Sequence, residues 1–260
     1  MCITHSVGPG GNNASADVRS LQLLLNLNSG QRGFSCKLAT DGQWGAASRS
    51  ALASFQQAIG IPPGQPVKPD DATLAALRTG LPAGLVAPKL WAVMINASGA
   101  RIDAFTQPML DVFGRYAIDT PLRIAHFLAQ IAHESGCLRY TEELASGSAY
   151  DGRKDLGNLQ PGDGPRFKGR GLIQLTGRAN YRQYGQYCKR DFEAKDDPTL
   201  VSTDPALAVD VAGWFWMTRK LNDWADQDNL REITRRINGG FNGLDDRAAY
   251  LARAKWLLLG

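Results

Sequence analysis

The sequence predicts a mainly α protein: a small three-helix domain followed by a larger helical one. Apolar residues recur at helical spacing, as in Val18, Leu21, Leu24 and Leu25, and again in Ile124, Phe127, Leu128 and Ile131. Start and stop residues frame these runs, with Thr120-Pro121 before one and Gly60 after another. A stretch broken by proline and glycine, "LPAGLVAPK" over Leu81–Lys89, divides a chain of 260 residues, a length suited to two domains.

Met1–Asn13 is rich in glycine and reads as a flexible arm. "SADVRSLQLLLNL" is the first helix, with Ser15 as its expected N-cap. "LATDGQWG" is turn chemistry centred on Asp41-Gly42. "AASRSALASFQQAIG" is the second helix, with Ala51, Leu52, Phe55 and Ile59 inward and Gly60 at C′. "DDATLAALRTG" is the third, with Asp70 or Asp71 at its positive end. The expected organisation is therefore residues 1–80 as the first domain, 81–88 as linker and 89–260 as the second domain. In the second, "TPLRIAHFLAQIAHE" is a helix capped by Thr120, with Pro121 at N1, and it stops at Gly136. "DPALAVDVAGWFWMTRKLNDWA" and "DDRAAYLARAKWLLLG" are further helices, and Gly147–Gly171 reads as a long ordered loop or small irregular sheet.

The net charge of +4 is mild and evenly spread, without the clustered Lys/Arg that phosphate binding needs, which argues against a nucleic-acid partner. Four cysteines with no CxxC pair point to reduced thiols. No apolar stretch approaches the ~18 residues of a membrane span, so no membrane insertion is expected. The N-terminus does not read as a signal peptide.

"LQ" at Leu21-Gln22, "DGQWG" at Asp41–Gly45, and Ser48, Ala51, "FQ" at Phe55-Gln56 and Gly60 resemble the three-helix peptidoglycan-binding domain of many cell-wall hydrolases, over roughly Asn12 to Leu81. Leu21, Leu25, Phe55 and Leu74 read as core, and Asp41, Gly42 and Gly45 as turn-formers.

"AQIAHESGCLRYTEE", Ala129–Glu143, gathers three glutamates behind an apolar run with Arg139 as the nearby cation. Glu134 falls at a helix C-terminus above Phe127 and Ile131. Dipole and desolvation would both favour the protonated carboxyl there, as a general acid requires. A second carboxyl in an unlike setting would complete the pair that glycoside hydrolysis uses. On this stretch alone, an exposed helix end remains the alternative. A zinc site of the HExxH kind is not formed: Cys137 stands where the second histidine would be, Gly136 interrupts the helix, and His126 and His5 are poor substitutes.

"HESG", "RFKGRGLIQLTGRANY" (Arg166–Tyr181) and "RINGGFNGLDDR" (Arg236–Arg247) together resemble glycoside hydrolase family 19, the chitinase and lysozyme-like family, over about Pro88–Gly260. The resemblance implies a lysozyme-like helical fold and β-1,4 hydrolysis with inversion, without metal or other cofactor. It implies Glu134 as general acid, Glu143 as general base with Glu142 as fallback, and Thr176 as a holder of the attacking water. Gln174, Asn180 and Asn238 match sugar-binding positions, and Arg247 an arginine near the acidic pair. Tyr181 is either a stacking platform or core, Trp214 and Trp216 read as packing, and His133 as a hydrogen-bonding support. With the N-terminal module, the chain resembles a phage endolysin. That implies a monomeric muramidase made in the bacterial cytoplasm, whose partner is the peptidoglycan reached from the periplasm and whose action lyses the cell. A chitinase and a non-catalytic wall-binding protein are the alternatives.

Overall fold

The computed structural model describes residues 2–259. Helices dominate, and the only β pairing among the described residues is in isolated bridges. The chain forms two compact units, one of residues up to Asn96 together with those from Ala248 onward, the other Ala97–Arg247.

The first unit holds α1 (Ser15–Leu27), α2 (Ala46–Ala58), α3 (Ala72–Thr79) and α4 (Ala87–Val93). Val18, Leu21, Leu24, Leu25, Leu52, Phe55, Leu74 and Leu77 are buried, with Phe34 edge-on to Phe55 at 5.2 Å. Ser15 is the first helical residue of α1 and not its cap; Ala14 precedes it, and no side chain caps that end. Asp71 caps α3 by accepting from the Leu74 N–H at 2.8 Å.

The motif glutamines clamp turns. Gln22 donates to Asp41 Oδ1 (2.9 Å) and Ser48 Oγ (3.1 Å) and accepts from the Gly42 N–H (2.9 Å). Gln56 accepts from the Gly64 N–H (2.9 Å) and donates to the Gln65 carbonyl (2.8 Å). Each satisfies buried polar groups that the turns would otherwise leave open.

Residues 2–13, expected as a flexible arm, are packed. Val7 pairs with Val67 through two backbone hydrogen bonds of 2.9 and 2.7 Å, and Cys2, Ile3 and Val7 are fully buried. Asp17 accepts from the Thr4 and His5 N–H groups, both at 2.9 Å. The glycines drew attention from three apolar residues, Cys2, Ile3 and Val7, that the fold buries. The residues expected as linker also belong to this unit: Lys89 donates to the Pro82 and Gly84 carbonyls, and α4 packs on α1 with Leu90, Ala92 and Val93 buried.

The second unit holds α5 (Gly99–Arg115), α6 (Pro121–Glu134), α7 (Asp163–Arg166), α8 (Arg178–Cys188), α9 (Leu200–Thr203), α10 (Pro205–Thr218), α11 (Leu221–Asp226) and α12 (Leu230–Asn238). The start of α13 (Leu244–Leu258) follows, and its later turns belong to the first unit. Thr120 caps α6 by accepting from the Arg123 N–H at 3.2 Å, and Ile124, Phe127, Leu128 and Ile131 are buried as their spacing predicts. The helix expected over 204–225 breaks instead at Lys220, which is left-handed (φ +51°) and separates α10 from α11. Buried Asp210 ties three helices together: Oδ1 accepts from Arg115 (2.5 Å) and the Tyr116 hydroxyl (3.0 Å), and Oδ2 from the Tyr184 hydroxyl (2.9 Å). This frame fixes the ground on which α6, the 141–177 segment and α12 present their polar residues.

Candidate active site

Glu134 is the last residue of α6, and its side chain is 19% exposed. Its Oε1 accepts from Arg247 at 2.5 Å. Arg247 is almost wholly buried; it also donates to Gln130 Oε1 and to the Asn242 carbonyl (3.4 Å), and Gln130 donates on to Thr234 (3.3 Å). Gln130 lies one turn before Glu134, a polar residue inside an apolar stripe, and that was the signal in the sequence for this support. The expected setting for Glu134 was apolar; the structure supplies a guanidinium as well. Asn238 donates to the same Asn242 carbonyl at 3.0 Å, so the "INGGFN" loop joins the Arg247 cluster. His133 does not enter it: its Nδ1 meets Asp246 at 2.6 Å.

Glu142 and Glu143 part company. Glu142 Oε1 accepts from Arg170 Nε (2.9 Å) and lies 3.4 Å from Lys168 Nζ. Glu142 and Arg170 are also bridged through their backbones. The carboxylate of Glu143 has no cation among the described residues; Oε1 accepts from the Tyr150 hydroxyl (3.0 Å) and Oε2 from the Gly169 N–H (3.2 Å). Burial, followed by the Glu143 carboxylate, raises the Tyr150 hydroxyl above the usual phenol range, so it remains a donor. A Cβ on Gly169 would lie 2.8 Å from Gln174 Oε1, 3.3 Å from Thr176 Oγ1 and 3.4 Å from Glu143 Oε2. Three oxygens named from the sequence thus surround one point that only glycine leaves open. Gly169, Tyr150 and Arg170 were not singled out in the sequence, although Gly169 and Arg170 stand inside a quoted motif.

Gln174, Thr176 and Asn180 line a cleft of about 420 Å³, together with Leu156, Trp214, Phe215 and Ile237. Asn180 donates to the Thr176 carbonyl at 2.6 Å, and Gln174 holds φ +56°. Neither Glu134 nor Glu143 lines this cleft. Glu143 reaches its edge through Thr176 and Gln174, and Glu134 belongs to the Arg247 cluster. The cleft lining includes no carboxyl group, whereas acid–base transfer needs groups that titrate. Tyr181 is core: it is fully buried, tilted against Phe167 and edge-on to Phe192, and burial pushes its hydroxyl up to about 12. Trp216 is packed against Phe127, whereas Trp214 is largely buried and also borders the cleft.

The 147–171 segment is neither bare loop nor sheet. It contains 3-10 turns at Ser148–Tyr150 and Lys154–Leu156, and then α7. Arg178 fastens it to α8 by gripping Asp163 at 2.5 and 2.9 Å and also reaches Glu193 at 3.1 Å. Arg182 first, and then Arg178, hold Glu193 down at about 2, from an ordinary 4.5. A carboxyl lowered on folding adds stability that is complete above its unfolded value and lost as pH falls through its folded one. The thermal midpoint should therefore fall between about pH 4.5 and 2, and Glu193→Gln should flatten that part of the profile. An unchanged profile in the variant would mean that the network contributes nothing.

The chain is similar to known proteins over this same region. Residues 118–231 match the family model described as chitinase class I. A glycosyl hydrolase family 19 domain-containing protein of Haemophilus influenzae is 34% identical over 154 residues, which are 47% of this chain and 74% of that protein. An Arabidopsis thaliana endochitinase is 38% identical over 45% of this chain, which spans only 39% of the plant protein. The crystal structure of chitinase C from Streptomyces griseus superimposes with a TM-score of 0.55 at 23% identity, covering 66% of this chain and 75% of that one, and so shares the fold. With a helical frame, a carboxylate on each of two separate clusters and this degree of identity, the chain belongs to glycoside hydrolase family 19.

Proposed function

We propose that this glycoside hydrolase is a muramidase. It cleaves the β-1,4 bond between N-acetylmuramic acid and N-acetylglucosamine with inversion, in the manner of a phage endolysin. The observation that carries the catalytic part is the unequal treatment of neighbouring glutamates: Glu142 is engaged by Arg170, while Glu143 stands with Thr176 and Gln174 around Gly169. Glu134 donates its proton to the leaving oxygen through Oε2, with Arg247 holding Oε1. Glu143, held by Tyr150 and the Gly169 N–H, takes a proton from water on the opposite face of the sugar, and Thr176 positions that water. Inversion requires the two carboxyls to stand about 6.5–9.5 Å apart. Gln174, Asn180 and Asn238 supply hydrogen bonds to sugar substituents. Tyr181 acts through the fold alone.

Peptidoglycan as the substrate is supported by the first unit, where the glutamines of "LQ" and "FQ" clamp turns, "DGQWG" among them, in the pattern of the module that the sequence resembles. In this reading the module holds the wall while a single chain cuts it from the periplasmic side. Chitin is the second reading, favoured by the plant relatives named as endochitinases. Mass spectrometry of digested peptidoglycan and of chitin oligosaccharides decides between them. New reducing ends on N-acetylmuramic acid are expected; N-acetylglucosamine ends from chitin with intact peptidoglycan would establish the chitinase instead.

A further inference from the structure

The cleft does not end at its neutral sugar-binding residues. Thr218 and Arg219, at the end of α10, line both the cleft and an adjoining open hollow of about 430 Å³, whose other walls are Lys220, Arg235 and Arg236. Ile237, the next residue of α12, lines the cleft. The two spaces are thus continuous along two elements. Four cations face the hollow, and the carboxylate paired with them is Glu232, at 2.6 Å from Arg235 and 2.7 Å from Arg236. Arg219 and Lys220 form no ion pair among the described residues; Arg219 lies over the Phe215 ring at 4.0 Å. Lys220 also occupies the left-handed region (φ +51°), where glycine or asparagine would sit at less steric cost. The hollow is therefore positive in excess, beside a cleft whose polar residues other than Arg219 are amides and hydroxyls.

We propose that Arg219, Lys220, Arg235 and Arg236 form a subsite for the carboxylates of peptidoglycan stem peptides and select the anionic wall polymer over neutral chitin. This rests on the muramidase reading. Chitin carries no charge to place there, whereas peptidoglycan stem peptides carry free carboxylates. Guanidinium groups pair with carboxylates in planar, bidentate fashion.

The test compares soluble peptidoglycan fragments, the same fragments with their carboxylates converted to amides, and chitin oligosaccharides of matching length. Specificity constants are measured for the natural protein and for Arg219→Gln/Lys220→Asn, with circular dichroism to check folding. Asparagine is chosen because it accepts the left-handed backbone at residue 220. Amidation should lower kcat/KM of the natural protein by about tenfold, the scale of two exposed ion pairs. The double variant should lose about as much on the native fragments, respond little to amidation, and show a reduced ratio of peptidoglycan to chitin turnover. Its rate on native fragments should also depend less on salt. A natural protein indifferent to amidation, or a variant that loses equally on all three substrates, overturns the subsite while leaving the muramidase reading intact. A natural protein that cuts chitin but none of the fragments overturns both.

Discussion

Glu134→Gln is expected to leave a folded protein with almost no glycosidase activity. Glutamine preserves the oxygen that receives Arg247, so the buried guanidinium keeps its acceptor and the Gln130–Thr234 chain behind it is undisturbed. What is lost is the proton. Removal of a general acid lowers turnover by about 10²–10⁴. Alanine would be a poorer probe, since it would strip a buried cation of its carboxylate and confound chemistry with stability. Turnover on soluble fragments, with thermal midpoints measured in parallel, provides the check. A folded variant that retains most of its activity would remove Glu134 from the mechanism.

The second large effect is a contrast between neighbours. Glu143→Ala should lower turnover by about 10²–10⁴, as expected for loss of a general base, with little change in thermal midpoint, because its partners are a hydroxyl and one N–H. Glu142→Ala should do the reverse. It frees the side chain of Arg170 from the Glu142 carboxylate, which is 39% exposed and partly screened by solvent, and should cost about 1 kcal/mol of stability with a modest effect on turnover. Arg170 keeps the Arg166 carbonyl and the Tyr181 hydroxyl, so the segment should still fold. The opposite ranking would place the base at Glu142.

The parts of the molecule legible in the sequence were those set by short-range chemistry. Thr120, Pro121 and the Ile124–Ile131 stripe define α6 because cap, first turn and buried face all lie within one element. The difference between Glu142 and Glu143 was not legible in the same way. It depends on Arg170 and Gly169, more than twenty-five residues away, returning to pair with the backbone of Glu142 and Glu143. Helix α5 is not among the elements the sequence reading names; it runs through Pro108, a residue that ordinarily breaks helices, with Ile102, Phe105, Met109 and Val112 buried. The "LQ" and "FQ" glutamines were visible as motif, but their reason lies in the turns they clamp, Asp41–Ser48 and Gly64–Gln65. The packing of the N-terminus is not legible locally because the partner of Val7, Val67, is sixty residues on.

The division of the chain into units has a consequence for synthesis. All of Ala97–Arg247 leaves the ribosome before Ala248 does, so the unit that carries both glutamates is complete while the other still lacks a piece. The first unit waits for its closing segment: Arg253 donates to the Ala92 carbonyl (3.0 Å) and to the Cys2 carbonyl (2.5 Å), and Arg78 to the Trp256 carbonyl (2.9 Å). The common order, in which the N-terminal unit folds first as it emerges, is inverted here. Residues translated first are among the last to be locked. A nascent chain halted at Arg247 would hold Glu134, Glu143 and the residues around them while Cys2, Arg78 and Ala92 still lacked their partners.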